Sequence, residues 1–183
     1  PCAWVADSLE EAQDLAYKSA AVTHNHPEGI KGALATVDAI YLARIGASKD
    51  EIKDHVETRY GYDLDRTVDE IRPYYSFDVS CAGSVPESII CFLEADDYED
   101  TIRNTVSLGG DADTQAAIAG GIASAFWDVP EDIVDNSVKS SAIPRALPSA
   151  TQKQNAPFVQ RGRNNVIIRN AEGLYRADGV RIK

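Results

Sequence analysis

The stretch SLGGDADTQAAIAGGIASAFW, residues 107–127, decides the fold because it joins a glycine turn to a helix of unusually small side chains. Gly109 and Gly110 let the chain leave one helix in a left-handed conformation and enter the next. The following run, AAIAGGIASA, has side chains small enough for other helices to approach its backbone. We therefore expect a helix that is packed closely on all sides, as in an all-helical domain.

Two acidic residues follow the glycines directly, in what we call the acidic turn (residues 109–114). The carboxylates of Asp111 and Asp113 can point to one side of the chain, and Thr114 adds a hydroxyl oxygen. Three hard oxygens within four residues suit Mg²⁺ or Mn²⁺. The alternative is a helix cap that uses one of the two acids. The stretch lacks the further ligands of an EF-hand loop, and no strand precedes it as in a dinucleotide-binding loop.

The composition fits one soluble domain, since 44% of the 183 residues are hydrophobic. No apolar run approaches the ~18 residues of a membrane span, and the N-terminus lacks the pattern of a signal peptide, so we expect a cytoplasmic protein. Cys2, Cys81 and Cys91 have no CxxC spacing, which favours reduced thiols over disulfides or a zinc site. Because the chain begins at Pro1 and has no methionine, we expect a processed product or a fragment.

Helix-start signals recur through the acidic part of the chain. The pattern S/T-x-x-E, in which the hydroxyl group and the Glu cap the same helix end, precedes four apolar-periodic runs, at Ser8/Glu11, Ser48/Glu51, Thr67/Glu70 and Ser84/Glu87. Further start and stop signals are Gly46, Asp96 or Asp97, Gly109 and Pro130. Only residues 76–79 have an extended pattern. The sequence therefore predicts an all-α fold for residues 1–138.

The chain changes character in its last part, residues 139–183. Residues 137–183 carry nine basic and two acidic residues, against nine basic and 27 acidic residues in 1–136. Three prolines favour a linker, and the runs NVIIR and LYRADGVRIK around residues 170–173 predict a β-hairpin. We do not expect nucleic acid as a partner, because the basic residues have no ladder of aromatic side chains between them.

Two other polar segments are candidates for binding. The first, THNHPEG (residues 23–29), places His24 and His26 at a helix start, where they could bind a metal or a phosphate, although the residues alone favour a polar loop with a capping Asn. The second, VSCAGSVP (residues 79–86), is small and flexible ahead of an apolar helix, and we call residues 80–83 the serine turn. Cys81 has no assignable His or Asp companion for nucleophilic catalysis.

Together and in this order, these segments resemble the C-terminal portion of the ADP-ribosylglycohydrolase family, the relatives of dinitrogenase-reductase-activating glycohydrolase. THNHPEGIKGALATVDAI resembles the family's Thr-His helix start, and the block from SCAGSVPESII to GGDADT resembles its Gly-Gly-Asp-x-Asp-Thr signature. The resemblance runs from residue 1 to about 138 and implies a compact multi-helix bundle. It implies that Asp111, Asp113 and Thr114 are ligands of a centre with two Mg²⁺ or Mn²⁺ ions. It also places His24 beside ADP-ribose and Ser80, Cys81 and Gly83 along the nucleotide cleft.

The resemblance implies a hydrolase that removes ADP-ribose from a modified protein side chain or a small ADP-ribose derivative. The family's Gly-Asp segment, Thr-Asp-Asp triplet and Gly-Asn-Gly loop do not occur in this chain. The acidic catalytic residue is therefore expected upstream, and we expect this chain to be inactive alone. Its apolar faces would meet the missing N-terminal half or drive self-association. The rival hypothesis is a non-catalytic helical binding or structural protein of the same fold.

Overall fold

A computed structural model describes the backbone of residues 1–140, 158–162, 165–170, 173–176 and 181–182, and the side chains of residues 1–137. By its internal contacts the chain divides into two units, Pro1–Val134 and Asp135–Lys183. Each unit is described by itself below.

Within residues 1–140 the regular secondary structure is all α-helix, as the sequence predicts. Its helices are α1 (Cys2–Val5), α2 (Leu9–Ala21), α3 (Pro27–Ile45), α4 (Lys49–Tyr60), α5 (Val68–Ile71), α6 (Cys81–Glu94), α7 (Tyr98–Ser107), α8 (Ala112–Phe126) and α9 (Glu131–Ser140). Residues 76–79, the segment with an extended pattern, form a loop and not a strand. None of the described helices is both long and apolar enough to cross a membrane.

Most of the predicted helix starts are confirmed. Ser8, Ser48, Thr67 and Asp97 each occupy an N-cap position, and each side chain accepts a hydrogen bond from the backbone N–H three residues later. The reciprocal bond from the Glu to the cap residue is complete at α4 and α5, whereas Glu11 accepts from the N–H of Asp7 instead. The predicted stop at Gly46 is also confirmed, with φ at 92°.

The fourth capping pattern is wrong. Ser84 and Glu87 lie inside α6, which begins a turn earlier with Ser80 as its cap. The hydroxyl group of Ser84 donates to the carbonyl oxygen of Ser80 at 2.8 Å, and Glu87 binds Arg66 through two hydrogen bonds of 2.8 and 3.1 Å. The carboxylate of Glu87, which the local pattern assigns to a helix cap, therefore forms a long-range ion pair with Arg66 instead. Pro86, which cannot donate a backbone hydrogen bond, lies within the helix as a result.

The core lies where α3, α6 and α8 meet. Its largest fully buried side chains include Ile52, Ile89, Phe92 and Ile122. The small residues of α8 bring its neighbours close, because a Cβ atom built at Gly120 would lie 3.0 Å from Ile102 Cδ1 of α7, and one at Gly121 would lie 3.5 Å from Ile40 Cδ1 of α3. The expectation of packing on all sides is too strong, since Ala117 is exposed.

A buried carboxylate, that of Asp38 on α3, joins three helices. It accepts hydrogen bonds from Gln13 of α2 at 2.8 and 2.9 Å, from His55 of α4 at 2.8 Å, and from Tyr60 at the end of α4. Asp38 is 0% exposed, so these donors replace the water that a carboxylate would otherwise bind. The cluster therefore fixes α2 and α4 against the middle of α3.

The described residues of the second unit include four strands, β1 (Phe158–Gly162), β2 (Asn165–Asn170), β3 (Gly173–Arg176) and β4 (Arg181–Ile182). They form an antiparallel sheet in the order β1-β2-β3-β4. Asn170 pairs with Gly173, so β2 and β3 form a hairpin at the position that the sequence predicts. The described strands extend this pairing on both sides, since β1 joins β2 and β4 joins β3.

Candidate metal and substrate site

The acidic turn has the backbone that its glycines predict. Gly109 and Gly110 follow α7 with φ at 77° and 71°, values that a residue with a Cβ atom adopts only with strain. Asp111 is then the N-cap residue of α8, but its side chain makes no capping hydrogen bond. The simple capping explanation therefore does not account for the carboxylate of Asp111.

The two acids of this turn lie against each other. A hydrogen-bond contact with the Asp111 side chain, helped by the backbone N–H groups of Thr114 and Asp113 itself, lowers the pKa of Asp113. Both Asp113 and the neighbouring Thr114 are exposed. Two carboxylates this close repel each other unless a proton or a cation lies between them. The carboxylates and the Thr114 hydroxyl group are hard oxygen donors, so the residues present fit Mg²⁺ or Mn²⁺.

The serine turn is held by hydrogen bonds around the first turn of α6. The Ser80 hydroxyl oxygen accepts from the N–H of Gly83 at 3.1 Å, and the Asp78 carboxylate accepts from the N–H of Ser80 at 2.7 Å. Hydrogen bonds to the Asp78 carboxylate from the backbone and the side chain of Ser80 lower the pKa of Asp78. A Cβ atom at Gly83 would lie only 2.1 Å from an oxygen of Asp78. A side chain at residue 83 would therefore displace the Asp78 carboxylate from its present position.

Cys81 brings α3 next to the serine turn. A Cβ atom built at Gly32 of α3 would lie 2.8 Å from Cys81 Cβ and 3.2 Å from its Sγ. Cys81 is half-buried, and all three cysteines are free thiols, as the sequence predicts. The contact shows that the apolar helix behind THNHPEG and the serine turn are neighbours.

His24 is exposed in the loop before α3. Its Nδ1 atom lies 2.7 Å from the Thr23 hydroxyl oxygen, and the described hydrogen bonds do not join its side chain to the serine turn or the acidic turn. The cap of α3 is His26, whose Nδ1 accepts from the N–H of Glu28 at 3.2 Å. The expected capping Asn is therefore wrong, and an unprotonated imidazole nitrogen takes its place.

Tyr75 is a residue of this region that the sequence pattern did not indicate. Its hydroxyl group donates to the carbonyl oxygen of Gly83 at 2.8 Å and accepts from Nε2 of Gln115 at 2.9 Å. Burial raises the pKa of Tyr75 to about 12, and the negative charges of Glu87, Asp78 and Asp111 act in the same direction. The side chain thus lies between the serine turn and the acidic turn. No local signal marks it, because its partners are eight and 40 residues away.

Two other polar features of the structure do not involve the site residues that the sequence predicts. Glu57, Asp63 and Asp65 bring carboxylate oxygens within 4.8 Å of one another, but Glu57 and Asp63 accept backbone N–H groups and Asp65 pairs with Lys53 at 2.6 Å. A cavity of about 330 Å³ is lined by Arg66, Glu70, Ile71, Tyr74, Tyr75 and Glu87. Tyr75 is the one residue that this cavity shares with the contacts between the two turns.

Comparisons with known proteins agree on one family. The family model described as ADP-ribosylglycohydrolase matches residues 1–156, which continues past the motifs found in the sequence. The proteins named ADP-ribosylhydrolase ARH3 of Mus musculus and Homo sapiens are each 29% identical to this chain, over 68% of it and 46% and 47% of their own lengths. An uncharacterized protein of Archaeoglobus fulgidus is 30% identical over 68% of this chain and 46% of its own.

A solved structure leads to the same family. A chain of an "ADP-ribosylglycohydrolase-related protein complex" superposes with a TM-score of 0.53 at 25% identity, covering 69% of this chain and 46% of that one. The chain spans about half the length of the curated relatives it matches. With the family match over most of the sequence and the shared helical fold, the chain belongs to the ADP-ribosylglycohydrolase family.

Proposed function

We propose that this chain supplies one wall of the active site of a metal-dependent hydrolase that removes ADP-ribose from a modified side chain or a small acceptor. Family membership supports the reaction class, and relatives named ADP-ribosylhydrolase support the substrate class. The observation that carries the proposal for this chain is the pair Asp111 and Asp113. Their carboxylates meet at the start of α8, and the Asp111 side chain makes no cap.

Each candidate residue has a role in this proposal. Asp111, Asp113 and Thr114 would hold Mg²⁺ or Mn²⁺ through their carboxylate and hydroxyl oxygens. When bound, two such ions would bind ribose hydroxyl groups and orient the attacking water. Ser80, Cys81 and Gly83 would border the nucleotide at the first turn of α6. His24 would approach the diphosphate or the ribose from the loop before α3.

We expect the reaction to require residues beyond those of this chain, since three oxygen ligands leave much of two octahedral shells unfilled. The loop before the serine turn supports this expectation. Tyr74, Phe77 and Val79 are 89%, 64% and 86% exposed there, which is unusual for three large apolar side chains so close together. The remainder of the enzyme, or a second copy of this chain, would cover them.

Binding to the isolated chain tests the metal part of the proposal. Calorimetric titration should show Mn²⁺ or Mg²⁺ binding, and the paired substitution Asp111→Asn and Asp113→Asn should abolish it. Asp128→Asn, an exposed acid beyond the other end of α8, is the matched control and should bind as the wild type does. Equal binding by the double variant and the wild type would refute these ligands.

Release of ADP-ribose tests the reaction itself. The full-length enzyme should liberate free ADP-ribose from an ADP-ribosylated peptide, should lose this activity with a chelator, and should regain it with Mg²⁺. The same double variant should be inactive, whereas the Asp128→Asn variant should be active. A full-length protein that neither binds ADP-ribose nor releases it would instead support the non-catalytic binding or structural role.

A further inference from the structure

We propose that Tyr75 is a positioning residue that sets the distance between the serine turn and the acidic turn. The inference rests on the proposed function, in which the two turns carry the nucleotide and the metal. Tyr75 itself would touch neither ligand. It would act through Gly83 on one side and through Gly110 and Gln115 on the other.

The hydroxyl group of Tyr75 makes the first connection. It donates to the carbonyl oxygen of Gly83 at 2.8 Å, in the first turn of α6. It accepts from Gln115 at 2.9 Å, in the first turns of α8. A single oxygen atom therefore bridges the beginnings of two helices. A tyrosine hydroxyl group is protonated at neutral pH, so it has the proton that the bond to Gly83 needs.

The ring of Tyr75 makes the second connection. A Cβ atom at Gly110 would lie 2.8 Å from Tyr75 Cε1, so the glycine backbone and the ring edge are already in contact. Gly110 and Gln115 flank residues 111–114, which are the three proposed ligands and Ala112. The backbone N–H of Gln115 also donates to the carbonyl oxygen of Asp111 at 3.0 Å. Tyr75 thus holds the acidic turn from both of its ends.

The bond to Tyr75 is the one side-chain hydrogen bond of Gln115 among the described residues. Gln115 is 0% exposed, and within the described part of the chain its Oε1 atom has no hydrogen-bond partner. Loss of the Tyr75 hydroxyl group would leave the buried amide without its side-chain hydrogen bond, which costs more than an exposed bond of the same kind. The amide would then seek another partner, and the first turn of α8 would move with it.

Backbone hydrogen exchange on the isolated chain tests this inference without any ligand. Tyr75→Phe keeps the ring on Gly110 but removes both hydrogen bonds, and Tyr74→Phe is the matched control on its exposed neighbour. We expect amides of residues 80–84 and 110–115 to exchange about tenfold faster in the Tyr75→Phe variant only, with the other helices unchanged. Unchanged exchange in both segments, or equal acceleration in every helix, would overturn the inference.

A metal titration adds a readout that lost stability alone would not change. Below the unfolding temperature, Tyr75→Phe should weaken Mn²⁺ binding about tenfold, the size expected for a residue that orients ligands from behind. Gln115→Leu should weaken it similarly, and the double variant should be no weaker than either single one. If the variants bind Mn²⁺ as the wild type does, positioning is refuted while the proposed function stands. If the wild type binds no Mn²⁺, this chain does not form a metal site by itself, and hydrogen exchange decides the role of Tyr75.

Discussion

The carboxylate of Asp38, fully buried in α3, accepts a hydrogen bond of 2.5 Å from the hydroxyl group of Tyr60 at the end of α4. Burial, with this bond and the charge of Asp38, raises the pKa of Tyr60. The same carboxylate also accepts hydrogen bonds from Gln13 and His55. One charge in the middle of an apolar helix therefore anchors two neighbouring helices.

Removal of this carboxylate should be costly. Asp38→Ala leaves the donors of Gln13, His55 and Tyr60 without their shared acceptor, so the free energy of unfolding should fall by about 3 kcal/mol. Urea denaturation measures the change, and Asp54→Ala, an exposed acid on α4, should have little effect. A similar small loss in both variants would show that the cluster does not stabilise the fold.

The glycines of the acidic turn form a matched pair for a second prediction. Both have positive φ, but a Cβ atom at Gly109 would have nothing within 4 Å, whereas one at Gly110 would press against Tyr75. Gly109→Ala should cost about 1 kcal/mol from backbone strain alone. Gly110→Ala should cost at least ~1 kcal/mol more, because the ring must move. Equal urea midpoints for the two variants would contradict the contact between Gly110 and Tyr75.

The capping box of α4 predicts a pH dependence. Hydrogen bonds from the backbone and side chain of Ser48 lower the pKa of Glu51 from its ordinary value of 4.5. A lowered pKa in the folded state means that the stabilisation is complete above 4.5 and is lost as the pH falls through the folded-state value. Glu51→Gln should therefore lower the thermal midpoint at neutral pH but not in strong acid. Asp54→Asn on the same helix should show no such change, and a pH-independent difference for Glu51→Gln would refute the prediction.

The three thiols should differ in reactivity. Burial raises the pKa of Cys91 to about 12, against a smaller opposite effect of the hydrogen bond with Thr105, so this thiol is neutral and shielded at neutral pH. Cys2 and Cys81 are only half-buried. A thiol reagent should modify these two in the folded chain and should reach Cys91 only in denaturant. Cys91→Ala should leave the number of thiols that are modified in the folded chain unchanged. Rapid modification of Cys91 in the native chain would contradict its burial.

Local features of the sequence predicted the helices well, and long-range contacts explain the errors. Ser8, Ser48, Thr67 and Asp97 cap the helices that they precede, because a cap depends on residues only three positions apart. Ser84 and Glu87 fit the same pattern. The Glu87 carboxylate, however, pairs with Arg66, 21 residues away, and Ser80 begins the helix instead.

In the candidate site, too, local sequence features predicted some residues and long-range contacts determine the others. The sequence revealed the acidic turn and the serine turn because glycines, hydroxyl groups and acids lie side by side there. Tyr75 was missed, since its role depends on Gly83 and Gln115, which only the folded chain brings to it. Asp38 did leave a signal, namely a single acid among apolar residues of a periodic helix, but its partners come from other helices.

The packing of α7 against the second half of α8 limits the substitutions that α8 can accept. Gly120 lies about 13 Å along the helix from Asp111, at 1.5 Å per residue, yet a Cβ atom there would already touch α7. The nearest atom of α7 is Ile102 Cδ1, at the end of its side chain, so this side chain must shift by a few tenths of an ångström to accommodate a methyl group. Gly120→Ala would therefore change how α7 and α8 pack at the end of α8 that is remote from Asp111 and Asp113.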